Sequence, residues 1–169
     1  MSKGLPRITP GGRRDIGVIG WVISWVSGRV SGTGPPNLFL TLGRNRKLFK
    51  GWLHFAGRLM PGGRLPRRET EMVILRVAHT RECEYEIAHH THLAKKAGLD
   101  GSPPTERDQA LLTAVDELLA TRDMSDAAWA TLGRHLDDRE RIELLLLVGH
   151  YDMLATAINT LRIEPDARR

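Results

Sequence analysis

The amino-acid sequence predicts an all-α fold, and three features carry that expectation. Apolar residues recur at spacings of three and four along most of the chain. No segment alternates apolar and polar residues with the period of two that a half-buried strand requires. Helix-length stretches are separated by Gly/Pro clusters and opened by residues that cap helix N-termini. The chain has 169 residues, 41% apolar and 27% charged. That is ordinary for a soluble globular protein and long enough to bury one core.

Residues 1–14 hold two prolines, three glycines and four basic residues, which reads as a loose tail. A helix over 16–30 follows, and Ser31-Gly32-Thr33-Gly34-Pro35-Pro36 breaks it. These 34 residues form an N-terminal extension; residues 35–169 form the main helical domain. Asn37 is placed to cap a helix carrying Leu38, Phe39 and Leu42, and a second helix carries Leu48, Phe49, Trp52, Leu53, Phe55, Ala56, Leu59 and Met60. Pro61-Gly62-Gly63 stops it. A helix starts again at Pro66–Glu69 and buries Met72, Val73, Leu75 and Val77, with a break at His79–Glu82. The next runs from Cys83 to Ala97, with Gly98 as its C-cap and Lys95 and Lys96 in its last turn. Thr105 with Asp108 forms a capping box opening a helix to Ala120. Ser125 caps a short helix through Trp129 and Leu132. The last helix, capped by Asp137 or Asp138, is apolar on almost every side, which places it centrally or partly in a subunit interface.

Charge is unevenly spread. Residues 1–76 carry 14 Lys+Arg against 3 Asp+Glu, and residues 77–169 carry 11 against 17. No nucleic-acid motif and no long Lys/Arg run accompanies the basic half, so the two halves are expected to complement each other within or between subunits rather than to bind nucleic acid. Arg13-Arg14 before Ile16–Val26 resembles a targeting segment only superficially. The apolar run is far shorter than the ~20 residues of a membrane span, and no cleavage site follows it. The single cysteine excludes an internal disulfide and suits a reducing cytoplasm.

The richest chemistry lies in Cys83-Glu84-Tyr85-Glu86-Ile87-Ala88-His89-His90. On a helix, Cys83, Glu86 and His90 fall within about 60° of one another, a thiol, a carboxyl and an imidazole on one face. The helix N-terminus lowers the pKa of a thiol at Cys83, whereas Glu82, Glu84 and Glu86 raise it; sequence leaves the sign open. His89 and His92 share another face. Glu86-x-x-His89 has the spacing of di-iron bundles, but those need two such motifs and further carboxylates, so no metal site is expected. Glu71, 12 residues before Cys83, lies one helix earlier and reads by spacing alone as a solvated first-turn carboxylate. Tyr85 reads as packing, as do His150 and Tyr151, although these two could reach a pocket between helices.

The pattern Glu71, then Cys83-x-x-Glu86-x-x-x-His90, resembles the alkylhydroperoxidase D-like / carboxymuconolactone decarboxylase family, which carries a Glu and then Cys-x-x-Cys-x-x-x-His. The flanks are similar too: Pro36-Asn37-Leu38-Phe39, Leu59-Met60-Pro61-Gly62-Gly63-Arg64-Leu65-Pro66, Arg76-Val77-Ala78 and Val148-Gly149-His150-Tyr151. The resemblance implies an alkylhydroperoxidase D-like helical domain that assembles as trimers or hexamers and works without metal or organic cofactor. It gives Glu71 and His90 proton-relay roles and Cys83 the place of the first thiol. Glu86 stands where the family has its second thiol. A sulfenic acid formed on Cys83 therefore has no resolving thiol in this chain, and the two-thiol cycle is not expected.

The leading expectation is therefore a cytoplasmic, cofactor-free homo-oligomer using Glu71, Cys83, Glu86 and His90 in acid–base, lactone/decarboxylase-type chemistry on a small molecule. Arg76 or Arg81 would hold a substrate carboxylate. A one-cysteine peroxidase needing an external thiol is the second expectation, and a non-enzymatic binding or structural oligomer the third. Neither a nucleic-acid nor a membrane partner is expected.

Overall fold

The computed structural model describes residues 4–167. The first three residues of the expected tail and the last two of the main domain lie outside them. Eight α-helices and no strand make up the described residues: α1 (Arg13–Ser31), α2 (Asn37–Leu42), α3 (Arg46–Leu59), α4 (Arg67–Thr80), α5 (Glu84–Lys96), α6 (Glu106–Thr121), α7 (Asp126–Gly133) and α8 (Asp138–Leu161). The expected all-α class is what the chain forms. Backbone contacts divide it into two compact units, Met1–Gly57 with Thr156–Arg169, and Arg58–Ala155.

In the first unit, the segment before α1 is tied down rather than loose. Arg7 donates to Leu161 O and Gly11 to Leu40 O, each at 3.0 Å. α1 also begins earlier than periodicity suggests, because the Asp15 carboxylate accepts the Gly12 N–H at 2.8 Å. Gly17, at φ 75° and ψ 167°, kinks the helix, a backbone angle open mainly to glycine. Arg46 Nε takes up the Asp15 carbonyl beside the kink at 2.8 Å.

α1 turns its small residues inward. Ile16, Gly20, Ser24 and Gly28, four apart, are buried. Ser24 Oγ bonds back to Gly20 O at 2.8 Å, and a Cβ on Gly28 would collide with Gly34 O. Pro36, not Asn37, occupies the N-cap position of α2. Asn37 is the first helical residue, and its N–H is satisfied from a distance by Asp166 Oδ1 at 2.7 Å. Phe39, Phe49 and Trp52 pack together with ring centroids 5.5–5.8 Å apart.

In the second unit, α4 packs on α5 and α6, and α6 on α7. Val73, Ile74, Val77, Leu111, Val115, Leu132 and Leu144 have no exposed surface. The Thr105–Asp108 capping box forms, with reciprocal bonds of 3.1 and 3.0 Å. Arg68 holds the same Asp108 carboxylate in a bidentate pair at 2.7 and 3.0 Å, and this bond is the main reason the carboxyl is held down at about 2. Ser125 caps α7 through Ala128 N–H at 3.2 Å. Asp137 and Glu140 cap the start of α8 reciprocally at 2.8 and 2.9 Å.

α8 buries Leu144, Leu147, Val148, Tyr151 and Leu154 and leaves Ile142, Leu146 and Met153 about half exposed. By length and composition it is the one helix among the described residues apolar enough to cross a membrane; half of its most apolar window is buried within the fold.

Leu111→Ala should cost about 2–5 kcal/mol, because it removes a wholly enclosed side chain. Thr105→Ala should cost about 1 kcal/mol, through loss of the α6 cap. Urea unfolding followed by circular dichroism measures both; equal costs would contradict the burial of Leu111.

Candidate active site

α4 and α5 are joined by Arg81, Glu82 and Cys83 alone, with Glu82 in the left-handed region at φ 49°. This tight link folds the two helices back on each other. It brings Glu71, on the second turn of α4, to His90 on the second turn of α5. Glu71 is wholly buried, and Glu86 and His90 are each 3% exposed. The solvated first-turn carboxylate suggested by spacing alone is instead a core residue.

His90 is gripped at both ring nitrogens. Nδ1 meets Glu71 Oε2 at 2.6 Å, and Nε2 meets Glu86 Oε2 at 3.1 Å, one helical turn along α5. Arg67, four residues before Glu71 on α4, sets its guanidinium against Glu71 Oε1 in an ion pair without hydrogen-bond geometry. Arg67 is less than half exposed, so it reaches from the surface to a carboxylate that solvent does not touch. The second Glu86 oxygen, Oε1, is buried and accepts no hydrogen bond.

Burial alone would push the His90 imidazole down. The hydrogen bonds that the ring donates to Glu71 and Glu86, and then their charges, outweigh it and hold the group up at about 9. His90 is therefore an imidazolium at neutral pH, donating to a carboxylate from each nitrogen.

Tyr151 of α8 stands edge-on to His90, with centroids 5.4 Å apart and planes at 89°. Burial drives its phenol well above the usual value, and the charges of Glu86 and Glu71 add to this. Burial also pushes the neighbouring His150 down, against the charge of Glu86. Tyr151 therefore faces the cluster besides packing, a placement that sequence alone left open.

Cys83 is the N-cap residue of α5 and has no exposed surface. Its N–H bonds to Ala78 O at 2.8 Å, which closes the α4–α5 turn. Glu71 and Glu86 are thus each in direct contact with His90, and Cys83 lies one turn before Glu86 on the same helix. Both arginines suggested for substrate binding are engaged by other partners. Arg76 is bidentate to Asp116 at 2.6 and 2.7 Å; Arg81 is held by Asp152 at 2.5 Å and Leu119 O at 2.9 Å. The guanidinium that meets the cluster is Arg67, whose i, i+4 spacing to Glu71 was its only sequence signal. Among the described residues, no group of three or more His, Cys, Asp or Glu is arranged to hold a metal ion.

A folded-state value above the ordinary 6.5 means that folding favours the protonated ring. This contribution to stability, on the order of 3 kcal/mol from the shift, is complete below pH 6.5. It is lost as pH rises through about 9. Carbon-13 NMR of the imidazole should show His90 still protonated at pH 8; a midpoint near 6.5 would contradict the doubly bonded ring.

The carboxymuconolactone decarboxylase family model matches residues 46–103, a segment that contains Glu71, Cys83, Glu86 and His90. Among curated proteins, none matches this sequence. Solved structures align over nearly the whole chain. The alkylhydroperoxidase AhpD core of an uncharacterized peroxidase-related protein from Ralstonia eutropha JMP134 has TM-score 0.81 and 18% identity, covering 97% of this chain and 94% of that one. An uncharacterized peroxidase-related protein from Silicibacter sp. TM1040 has TM-score 0.79 and 16% identity, covering 98% and 96%. The debrominase Bmp8 without ligand has TM-score 0.78 and 16% identity, covering 95% and 92%. A cysteine-to-alanine form of that debrominase, in complex with 2,3,4-tribromopyrrole, also aligns, with TM-score 0.79. At these identities the structures establish the fold. The chain thus has the alkylhydroperoxidase-like all-helical fold, and its residues 46–103 match the carboxymuconolactone decarboxylase family model.

Proposed function

We propose that the protein is a cofactor-free enzyme that moves protons on a small molecule through Glu71, His90 and Glu86. The observation that carries this reading is the His90 ring bonded at both nitrogens to buried carboxylates. Glu71 and Arg67 fix one end of the row. At the other end Glu86 Oε1 has no hydrogen-bond partner, so it is the atom from which a proton is exchanged with substrate. A proton removed from carbon next to a carbonyl passes to Oε1. The electron pair left behind forms an enolate, and the adjacent imidazolium stabilises the charge that develops. In a decarboxylation the order reverses: loss of carbon dioxide leaves the electron pair on carbon, and the relay supplies the proton.

A lactone bearing a carboxylate is the substrate class to assay, by deuterium incorporation from solvent or by release of carbon dioxide. Glu86→Gln and His90→Gln should each lower turnover about 10²–10⁴-fold, while Cys83→Ser retains it. Retained turnover in Glu86→Gln would sink the relay.

A second reading keeps the thiol. Cys83 sits at the N-terminus of α5, where the helix dipole favours a thiolate, and the aligned debrominase was crystallised with substitution of a cysteine. Peroxide would oxidise Cys83 to a sulfenic acid, releasing water or alcohol, and an external thiol would reduce it in two steps. This reading expects peroxide consumption with an added thiol that vanishes in Cys83→Ser. The burial of Cys83 opposes it. An aromatic disulfide reagent should label Cys83 slowly in the native protein and completely after denaturation. Rapid native labelling would favour the thiol reading. A reducing cytoplasm suits either chemistry.

A further inference from the structure

The row of Arg67, Glu71, His90 and Glu86 leaves one requirement of its own chemistry unmet. When a proton leaves carbon beside a carbonyl, negative charge collects on the carbonyl oxygen, and a hydrogen-bond donor must meet it there. The row's own donors are committed. Both N–H groups of His90 point at carboxylates, Glu71 at 2.6 Å and Glu86 at 3.1 Å. The Arg67 guanidinium is set against Glu71.

Tyr151 brings a donor of a different kind. α8 places its ring between two histidines, 5.4 Å from His90 with planes at 89°, and 5.1 Å from His150 with planes at 86°. The residue is 7% exposed, so packing fixes the phenol before any substrate arrives. Neither Glu71 Oε1 nor Glu86 Oε1 accepts a hydrogen bond, and the hydroxyl is therefore not spent on those two oxygens. Burial, with the charges of Glu86 and Glu71, drives the phenol well above its usual value. At neutral pH it offers an O–H and carries no charge. Packing alone would be served as well by phenylalanine, without the cost of enclosing a hydroxyl.

We propose that Tyr151 is a further catalytic residue, its O–H hydrogen-bonding the substrate oxygen on which the enolate charge collects. The inference rests on the proton-transfer reading and adds a demand on the substrate. The carbon that gives its proton to Glu86 Oε1 must carry a carbonyl whose oxygen meets the Tyr151 hydroxyl. The C–H bond breaks, and its electron pair becomes the carbon–carbon double bond of the enolate. The carbonyl π pair moves onto oxygen, and Tyr151 keeps its own proton. Nothing is oxidised or reduced.

Nitrophenolates test this, because each presents a planar oxyanion like that of an enolate and its absorbance reports binding. Glu86→Gln is the background to use, since its amide stands in for the protonated carboxyl that faces the enolate. 4-Nitrophenolate should bind Glu86→Gln about tenfold more tightly than wild type, because a like charge has been removed. Adding Tyr151→Phe should weaken that binding about 10–100-fold, with helical content unchanged by circular dichroism. Across ring-substituted nitrophenolates, affinity for Glu86→Gln should rise with phenolate basicity, which apolar packing would not produce. If Tyr151→Phe loses helical content, the slope of that series decides alone. In deuterium exchange into a carboxylate-bearing lactone, Tyr151→Phe by itself should lower kcat about 10²–10³-fold and leave KM nearly unchanged. Affinity that responds to Glu86→Gln but not to Tyr151→Phe, or that is flat across the series, overturns the role of Tyr151 and leaves the relay standing. Affinity indifferent to both substitutions, with no exchange in wild type, removes the relay and the role of Tyr151 with it.

Discussion

Four ionisable side chains run through the second unit in alternating sign: Arg67, Glu71, His90, Glu86. The arrangement depends on this alternation. A lone carboxylate moved out of water costs several kcal/mol, and two adjacent carboxylates cost more. With a guanidinium at one end and an imidazolium between, each negative charge has a positive neighbour and the row is neutral as a whole. Removing a middle member would leave an uncompensated charge in a site with almost no solvent. The order therefore constrains the helices that carry it. Arg67 and Glu71 must lie one turn apart on α4, and Glu86 and His90 one turn apart on α5. The two helices must then meet within hydrogen-bond distance, which the three-residue link at Glu82 enforces even though it holds a non-glycine residue at positive φ.

What sequence revealed and what it did not divides along the range of the interaction. Thr105 with Asp108, Ser125 and Asp137 each satisfy helix ends from within a few residues, so spacing located them, with Asp138 left as an alternative to Asp137. Gly98 at φ 91° follows α5 for the same local reason. Asn37 looked like an equally local cap. The bond that matters there comes from Asp166, 129 residues away, and no spacing rule reaches that far. The tail before α1 failed in the same way, since Leu161 O and Leu40 O hold it from distant helices. In the site, Glu86 and His90 were legible as an i, i+4 pair on one helix. The contact of Glu71 with His90 is tertiary and was suggested only by the family resemblance. Arg67 was not singled out, because a surface arginine one turn from a glutamate is common and only the burial of Glu71 gives it weight.

The glutamate at position 86 also bears on what the thiol can do. A histidine activates a cysteine as a base only while the ring is neutral. With His90 held up at about 9, the ring is mostly charged at pH 7, so it is poorly placed to take a proton from Cys83. Its positive charge could still favour a thiolate, but that charge is already neutralised by Glu71 and Glu86 on either side. A thiol at position 86 would bind an imidazolium more weakly than a carboxylate does and would leave the ring closer to its ordinary value, where it can accept a proton. One residue thus pulls the site in two ways: it removes the resolving sulfur and, after Glu71, helps to keep His90 charged. Both push toward proton transfer and away from thiol activation. In the proposed relay, the buried oxygen of Glu86 that no protein group satisfies would be the outlet for that tendency.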